Sequence, residues 1–177
     1  MEGDEMDASL RLLMGPPQRL VPSCPEAWRE IEQWVGRPLP EDYKEFVDEY
    51  GDCRIMEFLA IPHPEGRNRL IDSMVDDREF LDVMADQYRD RSGNLPFDPS
   101  GAVGWASHDY DGDGCYLLPR ESGKWAVMVA FRQRRMVLIE EDGFTAFMVR
   151  LLGKERVPQG WPVVEPLWRS IEESPVI

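Results

Sequence analysis

The clearest chemical pattern in the sequence lies at residues 109–114, which read D-Y-D-G-D-G. This is the first half of a calcium-binding loop, in which alternate carboxylates supply oxygen ligands. Such a loop needs a bidentate glutamate at its twelfth position, where this chain has Arg120. The pattern therefore favours a hairpin turn, since Asp and Gly readily adopt the positive φ angles of such turns. A metal site or an enzyme site built on Asp109, Asp111 and Asp113 is the less favoured alternative.

Other catalytic and cofactor patterns are missing from the sequence. It contains no G-x-S-x-G, no G-x-x-x-x-G-K and no G-x-G-x-x-G, the usual arrangements around a serine nucleophile or a bound phosphate. Ser107, His108 and Asp109 are adjacent, but successive residues of a strand point to opposite faces and cannot form a relay. His63 and His108 have no metal-ligand spacing to a cysteine. We therefore predict no catalytic residue, no metal and no cofactor.

The charge balance of the chain is strongly acidic. The 177 residues include 20 Lys and Arg against 34 Asp and Glu, a formal net charge of −14. Such a chain repels phosphate backbones and anionic membrane surfaces, so we expect it to bind neither nucleic acid nor membranes. The same charge accelerates encounter with a basic protein. Arg132, Arg134 and Arg135 form a basic cluster, which we interpret as a solvated hairpin tip.

The cysteines and the first residues indicate a cytoplasmic protein. The chain has three cysteines, Cys24, Cys53 and Cys115, which is an odd number. They lie far apart in the sequence and have no C-x-x-C spacing. Residues 1–5 read M-E-G-D-E, whereas a secretory signal begins with basic and then apolar residues. The longest apolar run, residues 125–131, is far shorter than the ~20 residues of a membrane-spanning helix.

Two helices are predicted in the first third of the chain. Ser23 and Glu26 form an S-x-x-E capping box, and the apolar residues that follow recur at helical spacing as far as Gly36. A second helix is expected from near Pro40 to Gly51, because glycine commonly ends a helix.

The rest of the chain predicts a sheet between two helical segments. We expect a strand at 55–61, a helical stretch at 69–91 with a break near Asp76 and Asp77, and a closing helix from 143 to 153. Four further strands are expected at 103–107, 114–118, 125–131 and 136–140. In the strand at 125–131, the residues that point to one face and those that point to the other are all apolar, which is typical of a strand covered on both faces. This order predicts an α+β fold, with a central, mostly antiparallel sheet flanked by helices.

The predicted helices also carry a pattern that resembles a known family. Residues 28–51 read W-x-x-I-E-x-x-x-G-x-x-L-P-x-D-Y-x-x-F-x-x-x-Y-G, which is similar to the N-terminal signature of the SUKH superfamily. Gly104 and Trp105, the glycines of the 112–114 turn, and the closing helix resemble the second half of that family. The superfamily includes fungal cell-wall-synthesis regulators and bacterial immunity proteins of polymorphic toxin systems. The resemblance runs from about residue 10 to residue 153.

This resemblance implies a single α+β domain with no known enzymatic activity. Its members act by binding, often by neutralising a cognate toxin, commonly a nuclease or a deaminase. No catalytic residues come with the family. The acidic stretch at 69–91 and the tail after Lys154 are not part of the short signature, so they are candidates for partner specificity.

We therefore expect a non-enzymatic protein-binding domain, best explained as an immunity protein that binds a basic toxin such as a nuclease or deaminase. The alternative is an intracellular scaffold or regulatory module without a toxin partner. The expected organisation is an acidic tail at 1–9, a SUKH-like domain at 10–153 and a Pro-rich extension at 154–177 packed on the domain. We expect a monomer or a weak homodimer.

The expected partner-binding surface consists of one aromatic and several acidic residues from the turn and from the long helix. These candidates are Trp105, Asp109, Asp111, Asp113, Asp76, Asp77, Glu79 and Asp82. The competing interpretation is structural, because a charged run on a helix is commonly no more than a solvated face.

Overall fold

The structure, a computed structural model, describes residues 8–18 and 22–171. Its helices are α1 (Ala8–Met14), α2 (Pro25–Val35), α3 (Glu41–Tyr50), α4 (Leu70–Met84) and α5 (Phe144–Leu152). Its strands are β1 (Cys53–Ile55), β2 (Leu59–Ile61), β3 (Val103–His108), β4 (Gly114–Pro119), β5 (Trp125–Phe131), β6 (Met136–Glu140) and β7 (Trp168–Ser170). The expected acidic tail lies outside the described residues apart from residues 8 and 9, which begin α1.

All seven of these strands form one antiparallel sheet in the order β6-β5-β4-β3-β2-β1-β7. The segment from β1 to β6 runs through the sheet in chain order, so each strand pairs with its sequence neighbour. The last strand returns to the opposite edge and pairs with β1. The predicted α+β fold with a central sheet and flanking helices is confirmed.

Strand β5 lies between two apolar layers, as its sequence predicted. Val127 and Val129 belong to the main core, which includes Phe144 and Leu151 of α5. The alternate residues of the strand pack on the other face of the sheet. This second cluster contains Ala126, Met128 and Ala130 with Leu81, Tyr88 and Phe97. Both faces of β5 are therefore removed from water, which explains why the strand is apolar throughout.

Two sequence predictions in the middle of the chain are wrong. The expected strand at 55–61 is a hairpin of β1 and β2, because Met56 and Glu57 adopt positive φ angles of 54° and 68° and turn the chain. Helix α4 is unbroken at Asp76 and Asp77. Its apolar residues change phase because the helix meets the main core at Met74 and the second cluster at Leu81.

The start of α2 also differs from the predicted capping box. Cys24 is the N-cap, without a side-chain hydrogen bond, and Pro25 opens the helix. Ser23 is buried and its hydroxyl donates instead to Asp48 of α3. Gly36 ends the helix in the left-handed conformation, with φ 83°, which agrees with the predicted end.

The chain after α5 contacts the main core, helix α3 and strand β1. Trp161 is buried in the main core, and the indole N–H of Trp168 donates to the Tyr50 carbonyl at 2.8 Å. Pairing of β7 with β1 closes one edge of the sheet. Within the described ranges, every helix is too short or too polar to cross a bilayer.

Candidate protein-binding surface

Helix α4 carries a row of exposed carboxylates, which we call the α4 acidic face. Its members are Asp72, Asp76, Glu79 and Asp82. None of them forms an ion pair with another described residue. The helix contains one cation, Arg78, whose guanidinium stacks over the Trp34 ring at 4.1 Å and is directed toward the Ala102 carbonyl. The only positive charge of α4 is thus turned onto the protein and leaves the acidic face uncompensated.

A small cavity of about 190 Å³ lies beside this face. Ser73, Asp76 and Asp77 line it from α4, and Ala106 and Ser107 line it from β3. The helix side of the cavity therefore presents hydroxyl and carboxylate oxygen atoms, whereas Ala60, Pro62 and Ile171 make the other walls apolar.

Asp77 is the most buried carboxyl group of α4. It packs against Gly104 so closely that a Cβ at that position would collide with the carboxylate. Burial, followed by the negative charge of Asp76, raises the pKa of Asp77 to about 7. No described side chain forms an ion pair with it. A substantial fraction of Asp77 is consequently protonated near neutral pH, unlike an exposed aspartate.

The structure corrects the assignment of Trp105 to the binding surface. Its side chain is 0% exposed and makes edge-to-face contacts with Phe144 and Phe147, at centroid distances of 5.1 and 6.1 Å. The register of β3 and β4 shifts between Gly104 and Ala106, so the irregularity falls at Trp105. This ring is a core residue that no partner can contact in the folded protein.

The 109–113 turn is held by contacts with distant parts of the chain. Asp109 forms an ion pair with Arg54 of β1. Asp113 is 4% exposed; one carboxylate oxygen accepts from the Arg132 backbone N–H at 3.0 Å and the other from the Trp161 indole at 2.9 Å. The assignment of Asp113 to an accessible surface is therefore wrong, because both of its oxygens are used inside the protein.

Asp111 is the one aspartate of this turn that is exposed and has no ion pair among the described residues. It lines a separate cavity of about 150 Å³ together with Asp113 and Arg134. The turn and the α4 acidic face thus line different cavities and do not form one site. Across residues 8–18 and 22–171, no group of three or more His, Cys, Asp or Glu is placed to hold a metal ion.

A buried polar network at the start of α2 was not predicted from the sequence. The Ser23 hydroxyl lies 2.9 Å from His63 Nε2 and donates to Asp48, which also accepts from the Trp28 indole at 3.0 Å. His63 Nδ1 accepts from the Glu65 backbone N–H, so the neutral ring carries its proton on Nε2. The serine proton points to Asp48 and not to the imidazole, the reverse of a nucleophile and its base. The network links α2, α3 and the loop after β2. It could not be predicted, because no spacing pattern within a single segment of the sequence indicates it.

The fold and this surface define an α+β domain whose accessible chemistry is a patch of negative charge beside a small cavity with a mixed polar and apolar lining. The chain belongs to the SMI1 / KNR4 family (SUKH-1), whose family model matches residues 22–150. This match extends from the segment before α2 into α5 and confirms the SUKH resemblance. Searches among curated proteins and among solved structures gave no match. The SUKH family is generally non-enzymatic and often binds protein partners.

Proposed function

We propose that this protein is a cytoplasmic immunity protein that neutralises a basic toxin by binding it through the α4 acidic face. The observation that carries the proposal is the set of exposed carboxylates on α4 without a compensating cation on that helix. The site residues proposed for this contact are Asp76, Glu79 and Asp82 of the α4 acidic face and Asp77 in the neighbouring cavity, with Asp111 as a separate, secondary contact.

The electrostatics of this face suit a partner that acts on nucleic acid. Nucleases and deaminases bind a phosphate backbone through Lys and Arg, so an acidic helix competes for the same basic groove. Complementary charge also steers the encounter and raises the association rate, in a manner that salt suppresses. Net charge −14 adds to this steering over the whole surface.

The test uses the toxin encoded next to this gene, or the basic protein that co-purifies from the native host. Co-expression should protect cells from the toxin, and the triple variant D76K/E79K/D82K should lose protection and slow association more than tenfold, because six charge units change at the contact. A matched control is E26K/E121K/E155K, which makes the same change in net charge at exposed positions away from α4. Equal losses in both variants would remove α4 from the interface.

The SUKH superfamily also includes fungal regulators, so the same acidic face could serve an intracellular scaffold. Protection of cells from a toxin distinguishes an immunity protein from a scaffold or regulatory module. A chain that binds a basic partner through α4 yet never protects cells from a neighbouring toxin is a regulatory module and not an immunity protein.

A further inference from the structure

Two large apolar side chains lie on the outer surface of α4, among its carboxylates. Phe80 is 37% exposed and Val83 is 80% exposed. They are three residues apart, so their side chains are neighbours on one face of the helix. Of the large apolar residues that are exposed in the described part of the chain, only these two share a helix. A single exposed apolar residue is ordinary, whereas an adjacent pair forms a small patch.

Carboxylates of the α4 acidic face surround this pair. Asp76 lies four residues before Phe80, and Asp82 adjoins Val83 in sequence. Glu79 lies four residues before Val83. A spacing of four residues makes side chains neighbours on the surface of a helix. An apolar centre with a polar rim is the usual arrangement of a protein–protein contact, and we call these five residues the α4 contact patch.

A cation of the β5–β6 turn already lies against the patch. The Arg132 guanidinium is 5.7 Å from the centroid of the Phe80 ring, a distance at which a cation interacts with an aromatic face. The patch thus accommodates a basic side chain from its own protein. Val83 remains largely uncovered and offers apolar surface to a partner.

The charge of the patch selects among its possible occupants. A second copy of this chain would bring the same carboxylates against those of the first, and like charges in contact oppose association. Residues 1–7 and 172–177, which read M-E-G-D-E-M-D and E-E-S-P-V-I, are also acidic. Anionic membrane surfaces are repelled for the same reason. The complementary occupant is a protein segment that carries apolar side chains between lysines or arginines.

We propose that Phe80 and Val83 are the apolar anchors of the partner contact, and that they bind a segment of the partner in which apolar side chains are flanked by lysine or arginine. This inference rests on the proposed function, because it concerns the same acidic face, and it adds an apolar contact to the attraction of charges. Charge steers the encounter, whereas buried apolar side chains slow dissociation. Part of the affinity should therefore resist salt.

Two synthetic peptides serve as the probe. One has leucine on one helical face and lysine on the other, and the second has the same lysines with every leucine replaced by serine. Fluorescence anisotropy with the full chain, at peptide concentrations where the peptides are monomeric and at about 0.5 M salt, measures both affinities while the attraction of charges is screened. The wild type should bind the leucine peptide about tenfold more tightly. Equal affinities would overturn the proposal.

Variants of the two anchors locate this preference on the surface. F80Q/V83Q should bind the two peptides equally, and V83Q alone should reduce the preference several-fold without disturbing the core, because Val83 is 80% exposed. L12Q is the matched control, since Leu12 is an exposed apolar residue (86%) on α1, and it should keep the whole preference. Circular dichroism establishes that each variant folds. A preference that V83Q leaves unchanged, or that L12Q reduces equally, would refute the anchors.

An amide variant separates the charges from the apolar contact. D76N/E79Q/D82N should weaken binding of both peptides by the same factor at physiological ionic strength and leave the leucine preference unchanged. Loss of that preference would contradict the proposal, as would a wild-type dimer in sedimentation velocity that V83Q dissociates, because a second copy would then cover the patch. These measurements use no toxin, so protection of cells can fail while the anchors hold, and the anchors can fail while protection holds.

Discussion

The 109–113 turn and the α4 acidic face are both rich in carboxylates, yet those carboxylates have different surroundings. In the turn, Asp109 pairs with Arg54 and Asp113 accepts hydrogen bonds from Arg132 and Trp161. On α4, the exposed carboxylates have no ion pair within the described residues, and the neighbouring arginine stacks on Trp34. An acidic cluster is available for binding only where the fold leaves its charges uncompensated.

Replacement of Trp105, the aromatic candidate near the turn, should have the largest effect on stability. Trp105→Ala removes a fully buried ring between Phe144 and Phe147 and should lower the free energy of unfolding by roughly 3–5 kcal/mol. Urea unfolding measures this change. A loss of binding without a loss of stability would place Trp105 on a surface and contradict the comparison.

The next largest effect is expected at Asp113. Asp113→Ala leaves the Arg132 N–H and the Trp161 indole without an acceptor, and should lower the free energy of unfolding by about 3 kcal/mol. Asp111→Ala, two residues away and exposed, is the control and should unfold like the wild type. If both variants unfolded with the same free energy, the Asp113 carboxylate would not stabilise the turn.

Asp77 should make stability depend on pH. Its pKa is raised from 3.8 to about 7 in the folded protein, so folding favours the protonated acid. The stability that this group contributes is complete below pH ~4 and is lost as the pH rises through 7. Between pH 5 and 8 the loss should be about 2 to 3 kcal/mol.

Asp77→Asn should flatten this profile, since the amide does not titrate, and should be the more stable chain at pH 8. Thermal unfolding of both chains at several pH values measures the difference. Asp76→Asn is the control and should keep most of the slope. Parallel profiles for wild type and Asp77→Asn would show that the group is not buried as described.

The smallest effect on stability is expected from the α4 acidic face itself. Replacing Asp76, Glu79 and Asp82 by their amides removes like charges three residues apart on one helix, and should change the free energy of unfolding by no more than about 0.5 kcal/mol. Chemical denaturation measures it. A large destabilisation would mean that these carboxylates are structural, as those of the turn are.

Much of the fold could be predicted because its signals are local. Gly36 and Gly51 mark the ends of α2 and α3, and the fully apolar β5 indicated a strand between two layers. The hairpin at β1 and β2 was not predicted, because Met56 and Glu57 adopt left-handed conformations that are uncommon for these residue types.

The candidate site was predicted only in part. Asp76, Glu79 and Asp82 are exposed, in agreement with the predicted acidic outer face of the helix, whereas Asp77 is partly buried against Gly104. Trp105 and Asp113 were placed on the surface because an aromatic residue and an acidic residue beside a turn give no local indication of burial. Their burial depends on α5 and on the chain around Trp161, which lie far away in sequence.

The amino-acid sequence was enough to predict helices α2 to α5, the antiparallel central sheet, the family and the net negative charge, but it did not predict the β1–β2 hairpin or strand β7. Tertiary structure alone decided which carboxylates remain free, because the groups that neutralise them come from distant segments. Asp113 meets Trp161 across 48 residues of sequence, and Arg78 meets the Trp34 ring of another helix. The periodicity of a sequence indicates which residues share one face of a helix or strand. The pairing of a carboxylate with a cation or a hydrogen-bond donor requires contacts between different elements, which periodicity does not describe.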